Sequence, residues 1–268
     1  MGMKKALAGR LFILSLLFLS GCKQVETKPE EIQYAGLDCI VVESRDSDEI
    51  MKLFEQMQAE GKVKGYCPLI IMRDEQTPGG RSVLDEWLEI QAGDNGSLPE
   101  YTQSLLNEYQ DIEVETYFDD MSDYYQEMSA WEAGEGRSYI EDLSGIESQN
   151  DLYTSYIEDI YIARVPTDKP YEVLAYVPIG GYNDCPPAGE HIAIAEKWYE
   201  EYGAVPCAVS YDIVQFYLET PVTDDTALDE LTREQFIYCY DIVLQGVGSL
   251  EGLKKSLDGS RFWFFWWD

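Results

Sequence analysis

The sequence is poor in basic residues. Among its 268 residues, 19 Lys and Arg stand against 51 Asp and Glu, which gives a formal net charge of -32 at pH 7. A negative field of this size repels phosphate backbones and anionic lipid headgroups. We therefore expect no nucleic-acid partner. The acidity either serves solubility or favours a cationic protein or small-molecule ligand.

Histidine is almost absent, since His191 is the only one in the sequence. The six cysteines show neither a CxxC spacing nor the Cys/His spacing of a zinc site. The sequence also contains no GxSxG, P-loop or HExxH motif and no Rossmann glycine set. These absences argue against a zinc enzyme and a nucleotide-binding fold, and we expect no metal and no cofactor.

The apolar run near the N-terminus is too short for a membrane span. It covers nine residues, LFILSLLFL at 11–19, whereas a bilayer core needs about 20. Three basic residues precede it and Leu-Ser-Gly-Cys22 follows, which resembles the signal and lipobox of bacterial lipoproteins. The resemblance implies a signal peptide at 1–21 and acyl chains on Cys22, which would anchor the protein to the extracytoplasmic face of the bacterial cell membrane. The alternative is a plain secretory signal in which Cys22 has no role.

Downstream of the signal, residues 22–36 are polar without apolar periodicity, and we interpret them as a tether. Residues 37–158 predict an α/β unit followed by an acidic helical region. Strand-like runs at 38–44 and 66–72 flank an amphipathic segment that begins at Ser47, so we expect two parallel strands joined by a helix.

Four acidic residues in this region lie three or four positions apart and would share one helical face: Asp119, Asp120, Asp123 and Glu127. Such a face is usually solvated. Calcium binding is the alternative, although calcium sites usually draw oxygen ligands from a loop.

The second half, residues 159–268, changes to short strands and helices. Strands are predicted at 160–164, 171–177, 205–210 and 213–219, and helices at about 187–202, 223–239 and 250–257. The helix at 223–239 carries Thr226 and Asp229 at capping-box spacing. These elements predict an α+β fold, in which helices flank a mixed β-sheet.

Several motifs in this half occur in the order known from one family: GGYNDCPP at 180–187, His191, Trp198, YGA at 202–204, EQ at 234–235, Cys239 with Asp241, QG at 245–246 and WFFWWD at 263–268. The chain is similar over about residues 159–268 to the bacterial domain-of-unknown-function family 4253 (DUF4253). Because that family has no established activity, the resemblance implies a fold unit and no mechanism.

A catalytic site would have to use Cys185 as nucleophile and His191 as base. Cys185 precedes a predicted helix, whose free amide groups would lower its thiol pKa. Positions six apart in a helix lie about 120° off the same face and about 9 Å apart along the axis. The pair can therefore meet only if Cys185 lies on the loop outside the helix. The alternative for His191 is a partly buried position on an apolar stripe, hydrogen-bonded to backbone.

Other polar residues occupy positions where the pattern favours apolar ones. Gln235 falls on the buried face of its helix, so its amide needs partners, and we expect it to tie a loop. A loop-and-helix network or the lining of a pocket would include the ligand-binding candidates Asn183, Asp184, Gln235, Asp241 and Gln245.

Five cysteines remain if Cys22 is acylated, and an odd number leaves at least one thiol free. The sequence leaves open how Cys39, Cys67, Cys185, Cys207 and Cys239 would pair. Three of them lie in apolar strand-like runs, where cysteine packs as a small hydrophobic residue: Cys39, Cys207 and Cys239.

The sequence ends in six consecutive aromatic residues, FWFFWW at 262–267. A strand buried on both faces reads as a continuous apolar run, so we expect a C-terminal strand in the core, with one indole bordering a polar cavity. A binding surface for carbohydrate is the alternative. For function we expect a surface-anchored lipoprotein with a non-catalytic binding domain. The alternative is a thiol-dependent hydrolase or transferase that uses Cys185 with His191.

Overall fold

The computed structural model describes residues 29–74, 81–121 and 143–268. Seven strands in this part of the chain form one mixed sheet, with the order β1-β2-β4-β3-β5-β6-β7. They are β1 (Glu31–Tyr34), β2 (Leu37–Val42), β3 (Cys67–Asp74), β4 (Ile157–Val165), β5 (Val205–Val209), β6 (Ile213–Tyr217) and β7 (Phe262–Trp266). Neighbouring strands are antiparallel except for β3 and β5, which are parallel.

Helices cover both faces of this sheet, as the sequence predicted for an α+β fold. They are α1 (Ser47–Lys64), α2 (Val83–Asp94), α3 (Leu98–Glu108), α4 (114–121), α5 (Ala188–Tyr202), α6 (Asp225–Tyr238) and α7 (Leu250–Leu257), with a π-helix at Ile242–Val247 and short 3-10 turns at Tyr109–Asp111, Leu143–Gly145 and Pro170–Ala175. Helix α1 packs on one face through Ile50, Phe54 and Met57. Helices α2, α3, α5, α6 and α7 bury their apolar residues on the opposite face.

The β2-α1-β3 unit has the predicted parallel strands, but they are not neighbours. Both strands pair antiparallel with β4, which lies between them. Helix α1 is capped by Asp46, whose side chain accepts a hydrogen bond from the Glu49 amide, and it ends at Gly65 with a φ of 79°. This positive φ suits glycine, which has no Cβ to clash in the left-handed region.

Three predictions about local structure were wrong. The tether predicted to reach residue 36 overlaps β1, because Glu31–Tyr34 pair in register with β2. The strand predicted at 171–177 is a 3-10 turn over Pro170–Ala175, and the fixed φ of proline suits the first position of such a helical turn. Helix α6 is capped by Asp224 rather than by Thr226.

The aromatic tail forms β7, the strand at one edge of the sheet, as its pairing with β6 shows. Trp263, Phe265 and Trp267 are at most 2% exposed and pack on the face shared with α5 and α6. Phe264 and Trp266 are half-buried on the face of α1. The prediction of a C-terminal aromatic strand in the core is confirmed.

All five cysteines in the described ranges are free, and Cys39, Cys207 and Cys239 are completely buried, as expected for small hydrophobic residues. Among the helices of 29–74, 81–121 and 143–268, none combines the length and the hydropathy that a membrane span requires. The predicted signal peptide at 1–21, the predicted lipidation site Cys22, and Asp123 and Glu127 lie outside the described residues.

Candidate functional site

Cys185 and His191 are in contact, although they lie six positions apart. Helix α5 begins only at Ala188, so Cys185 lies on the preceding loop, the single arrangement that allows the pair to meet. The Cys185 Sγ lies 3.4 Å from the His191 Nε2, and the His191 Nδ1 lies 2.6 Å from the Tyr238 hydroxyl. A neutral imidazole satisfies both contacts, because one ring nitrogen donates and the other accepts.

Gly180 allows the loop to approach His191 this closely. Its φ is +95°, and a Cβ there would lie 1.9 Å from the Pro186 carbonyl oxygen and 2.7 Å from the His191 Nε2. The loop 180–187 therefore covers the histidine, which is 2% exposed, and Cys185 is 3% exposed. Instead of the backbone partner expected for a buried histidine, His191 has two side-chain partners.

Burial keeps this pair uncharged. It raises the pKa of the Cys185 thiol above its ordinary value, and nearby Cys239 adds to the effect. It also lowers the pKa of His191 from 6.5 to about 3. A thiolate is the nucleophilic form of cysteine, and proton transfer from this thiol to this imidazole would create two charges in an apolar environment. The contact exists, but its surroundings oppose a thiolate–imidazolium pair.

We expect the Cys185 thiol to resist iodoacetamide in the folded protein at pH 7–8.5, and to react only after unfolding. The raised thiol pKa and the lack of exposure both slow alkylation. Mass spectrometry of peptides labelled before and after denaturation measures the difference, and half-buried Cys67 provides an internal comparison. Fast labelling of Cys185 below pH 7 would contradict the buried assignment and favour the thiol enzyme.

A separate cavity of about 620 Å³ lies beside β7, between this edge of the sheet and the layer of α6, the π-helix and α7. Its size is within the range of small-molecule sites, about 300–1,000 Å³. Three of the predicted candidates line it: Gln235, Asp241 and Gln245. Asn183, Asp184, Cys185 and His191 do not, so the structure divides the predicted residues into two groups.

Two residues that line this cavity carry a buried donor without a hydrogen-bond partner among the described residues. Gln235 and Trp263 both line the cavity and are both 1% exposed. The Gln235 Nε2 and the Trp263 Nε1 have no partner among the residues that the structure describes. Since buried polar groups are nearly always hydrogen-bonded, two such donors at one cavity need an explanation. The Nε2 of Gln235 therefore ties no loop among the described residues.

Two hydrogen bonds hold the carboxylate of Asp241 in this cavity. Asp241 is 5% exposed and accepts hydrogen bonds from the Gln245 Nε2 at 2.9 Å and from the Asp268 amide at 3.3 Å. Asp268 also accepts a bond from the Asn183 Nδ2 at 2.5 Å. The backbone of Asp268 therefore links the loop at Asn183 to the carboxylate of Asp241.

Asp241 directly precedes the π-helix, which carries Gln245. Single π-turns within helical structure are frequent at functional sites. Of these lining residues, Gln245 is exposed, whereas Gln235 and Asp241 are buried. Within 29–74, 81–121 and 143–268, no three His, Cys, Asp or Glu side chains form a group that could hold a metal ion.

Comparison with known families gives a match over residues 161–268 to the family described as "Domain of unknown function (DUF4253)". Residues 161–268 are thus similar to the DUF4253 family. No curated protein and no solved structure matches the chain significantly. The match agrees with the resemblance over 159–268, and it contains both the Cys185–His191 pair and the partnerless donors.

The segment that matches DUF4253 does not build the cavity alone. Glu147 and Gln149, which precede it in the chain, also line the cavity. The carbonyl oxygen of Gln149 accepts hydrogen bonds from the amides of Arg261 and Phe262, so this upstream segment is attached to the start of β7. Sequence reasoning missed both residues, because no local pattern signals a contact between segments more than 100 positions apart.

Two indoles border this cavity, whose lining is mostly apolar with a few polar groups, and the sequence could not select between them. Trp263 and Trp266 both line the cavity. Trp266 donates to the Asp212 Oδ2 at 3.0 Å, whereas Trp263 has no partner among the described residues. Which of the two tryptophans lacks a partner depends on how side chains alternate along β7, and the pairing of β7 with β6 sets this alternation.

Proposed function

We propose that this protein is a lipid-anchored bacterial surface protein whose DUF4253 domain binds a small molecule, without catalysis, in the cavity beside β7. The observation that carries the proposal is that two residues lining one cavity carry buried donors, Gln235 Nε2 and Trp263 Nε1, without a partner among the described residues. A carboxamide can turn to donate or accept, so Gln235 suits a ligand that offers oxygen acceptors.

The charge of the cavity supports a neutral or cationic ligand. Glu147 and Asp241 are acidic, and the lining among described residues contains no Lys, Arg or His. An anion would enter against these carboxylates and against the net charge of -32. The remaining lining is mostly apolar, as is usual for ligand sites that use a few polar groups for orientation.

The thiol enzyme receives less support than binding does. Acid–base catalysis needs a group whose pKa lies near the working pH, and burial lowers the pKa of His191 to about 3. A nucleophile also needs access to its substrate, whereas Cys185 is 3% exposed and lines none of the cavity beside β7.

For the anchor, we expect Cys22→Ala to release the protein from membranes or to block its maturation, because the acyl chains need the Cys22 thiol. Each buried methylene contributes about 0.8 kcal/mol to membrane binding, so two or more chains hold a protein stably. Fractionation together with labelling by a radioactive fatty acid measures the effect. An unchanged membrane fraction and unchanged label in Cys22→Ala would contradict lipidation.

For the binding site, we expect a thermal-shift screen of amines, amides, polyols and short peptides to give compounds that stabilise the wild type but not Gln235→Leu. A ligand at 100 times its dissociation constant adds about 2.7 kcal/mol to the free energy of unfolding. The control variant is Glu200→Gln, which changes an exposed residue of α5 outside the cavity. Compounds that stabilise wild type and Gln235→Leu equally bind elsewhere and would contradict this site.

A further inference from the structure

The backbone of β7 faces the cavity at one residue. The Leu218 amide donates to the Arg261 carbonyl, and the Trp267 amide donates to the Asp212 carbonyl. Hydrogen-bonded positions alternate along an antiparallel pair, so the odd-numbered residues of β7 direct their polar backbone groups toward β6. The even-numbered residues direct theirs outward, away from the sheet.

Two contacts confirm this outward direction and close the strand edge at both ends. The Phe262 amide donates to the Gln149 carbonyl, and the Cys239 Sγ donates to the Trp266 carbonyl at 3.1 Å. Phe264 lies between these two contacts. Its amide and carbonyl groups point away from the sheet, and Phe264 lines the cavity. An unpaired strand edge is a template for another extended chain.

The closed ends limit the length of any such chain. Four strand steps separate Phe262 from Trp266, which is about 13 Å at about 3.3 Å per residue. An antiparallel partner residue would exchange two hydrogen bonds with Phe264. A long strand would collide with the segments at Gln149 and Cys239, whereas a chain of two to four residues fits between them.

We infer that the cavity binds a short cationic peptide segment in extended conformation, one residue of which pairs with the backbone of Phe264. The inference rests on the proposed function, since it specifies the ligand of that same cavity. Carboxylates at Asp241 and Glu147 suit an ammonium or a lysine side chain. Gln235 and Trp263 line the cavity and carry donors without a partner among the described residues, and the Gln235 carboxamide would turn toward a peptide carbonyl group to donate to it.

The probe that tests this inference is Ala-Lys-Ala-amide with a free N-terminus, titrated into the full chain in mild detergent by isothermal calorimetry. Methylation of the lysine backbone nitrogen removes one hydrogen bond to Phe264, and we expect binding about tenfold weaker. Ala-Glu-Ala-amide is expected to bind at least about tenfold more weakly, because its charge is reversed.

Protein variants locate the peptide. Glu147→Gln changes an exposed residue at the cavity and is expected to weaken binding of the lysine peptide, whereas Glu200→Gln is expected to leave it unchanged. Gln235→Leu is expected to weaken it about tenfold or more. Weakening by Glu147→Gln and Gln235→Leu together supports the assignment.

Three results would overturn the inference. They are equal affinity for the N-methylated peptide, equal affinity for the acidic peptide, and no measurable binding of the lysine peptide. If non-peptide compounds still stabilise the wild type through Gln235, the cavity remains a ligand site and only the peptide assignment fails. If Gln235→Leu changes the binding of no compound, the proposed function fails as well.

Discussion

Deletion of Phe262–Asp268 is expected to unfold the body of the protein rather than only to abolish binding. The deletion removes β7 from its pairing with β6, together with three side chains that are at most 2% exposed: Trp263, Phe265 and Trp267. Truncation of one buried Phe or Trp to Ala costs about 3–5 kcal/mol. Since the total stability of a domain is about 5–15 kcal/mol, the loss of several such rings should exceed it.

Two neighbouring substitutions provide a matched test that keeps the strand. Phe265 is completely buried and packs on Trp198 at 5.5 Å and on Tyr238 at 4.7 Å between ring centroids. Phe264 is half-buried and packs on Tyr153 on the opposite face. We expect Phe265→Ala to lower the free energy of unfolding by about 3–5 kcal/mol and Phe264→Ala by clearly less.

Urea denaturation followed by circular dichroism measures these changes. A truncated chain that unfolds cooperatively near the wild-type midpoint would show that the tail lies on the surface. Equal losses of unfolding free energy for Phe264→Ala and Phe265→Ala would contradict the assignment of Phe265 to the more deeply buried face of β7. Either result would remove the basis for a cavity built on this strand.

The sequence predicted those features of the fold that depend on local periodicity. The amphipathic period of α1 indicated a helix, and the short, continuous apolar runs of β3 and β5 indicated buried strands through their length and their β-branched residues. The continuous aromatic run correctly indicated a buried strand. Periodicity failed for Pro170–Ala175, because an apolar run of that length suits a 3-10 turn packed on the core as well as a strand.

The arrangement of the candidate site depends on tertiary contacts and could not be predicted. The contact of Cys185 with His191 required helix α5 to start at Ala188 rather than earlier, and helix boundaries vary by one or two residues. The polar positions of Gln235 and Asp241 indicated a special environment. That environment could consist of hydrogen-bond partners or of a cavity. The cavity is built by Glu147, Gln149 and β7, which are distant in sequence from α6, so the sequence could not decide between the two.

Gln235 and Gln215 are two buried glutamines that should respond in opposite ways to the same substitution. Gln215 is completely buried and well partnered, since its Oε1 accepts from the Tyr153 amide at 2.8 Å and its Nε2 donates to the Tyr153 carbonyl at 3.0 Å. Gln215→Leu breaks both bonds and leaves backbone groups of Tyr153 unpaired. We expect a loss of about 2–4 kcal/mol in the free energy of unfolding, since each unpaired buried group costs about 1–3 kcal/mol.

Gln235→Leu removes a buried amide whose nitrogen has no partner among the described residues. The volume of the side chain is nearly conserved, and no hydrogen bond of the Nε2 is lost. We therefore expect the free energy of unfolding without ligand to stay within about 0.5 kcal/mol of wild type or to rise. A glutamine that serves only the structure would instead behave like Gln215.

The most direct measurement is the difference in unfolding free energy between Gln235→Leu and Gln215→Leu, from urea denaturation of ligand-free protein at pH 7. If Gln235 is kept for a ligand, Gln235→Leu is the more stable of the two by about 2 kcal/mol or more. A loss in Gln235→Leu equal to that in Gln215→Leu would show that Gln235 supports the fold, and it would contradict the assignment of this cavity as a binding site.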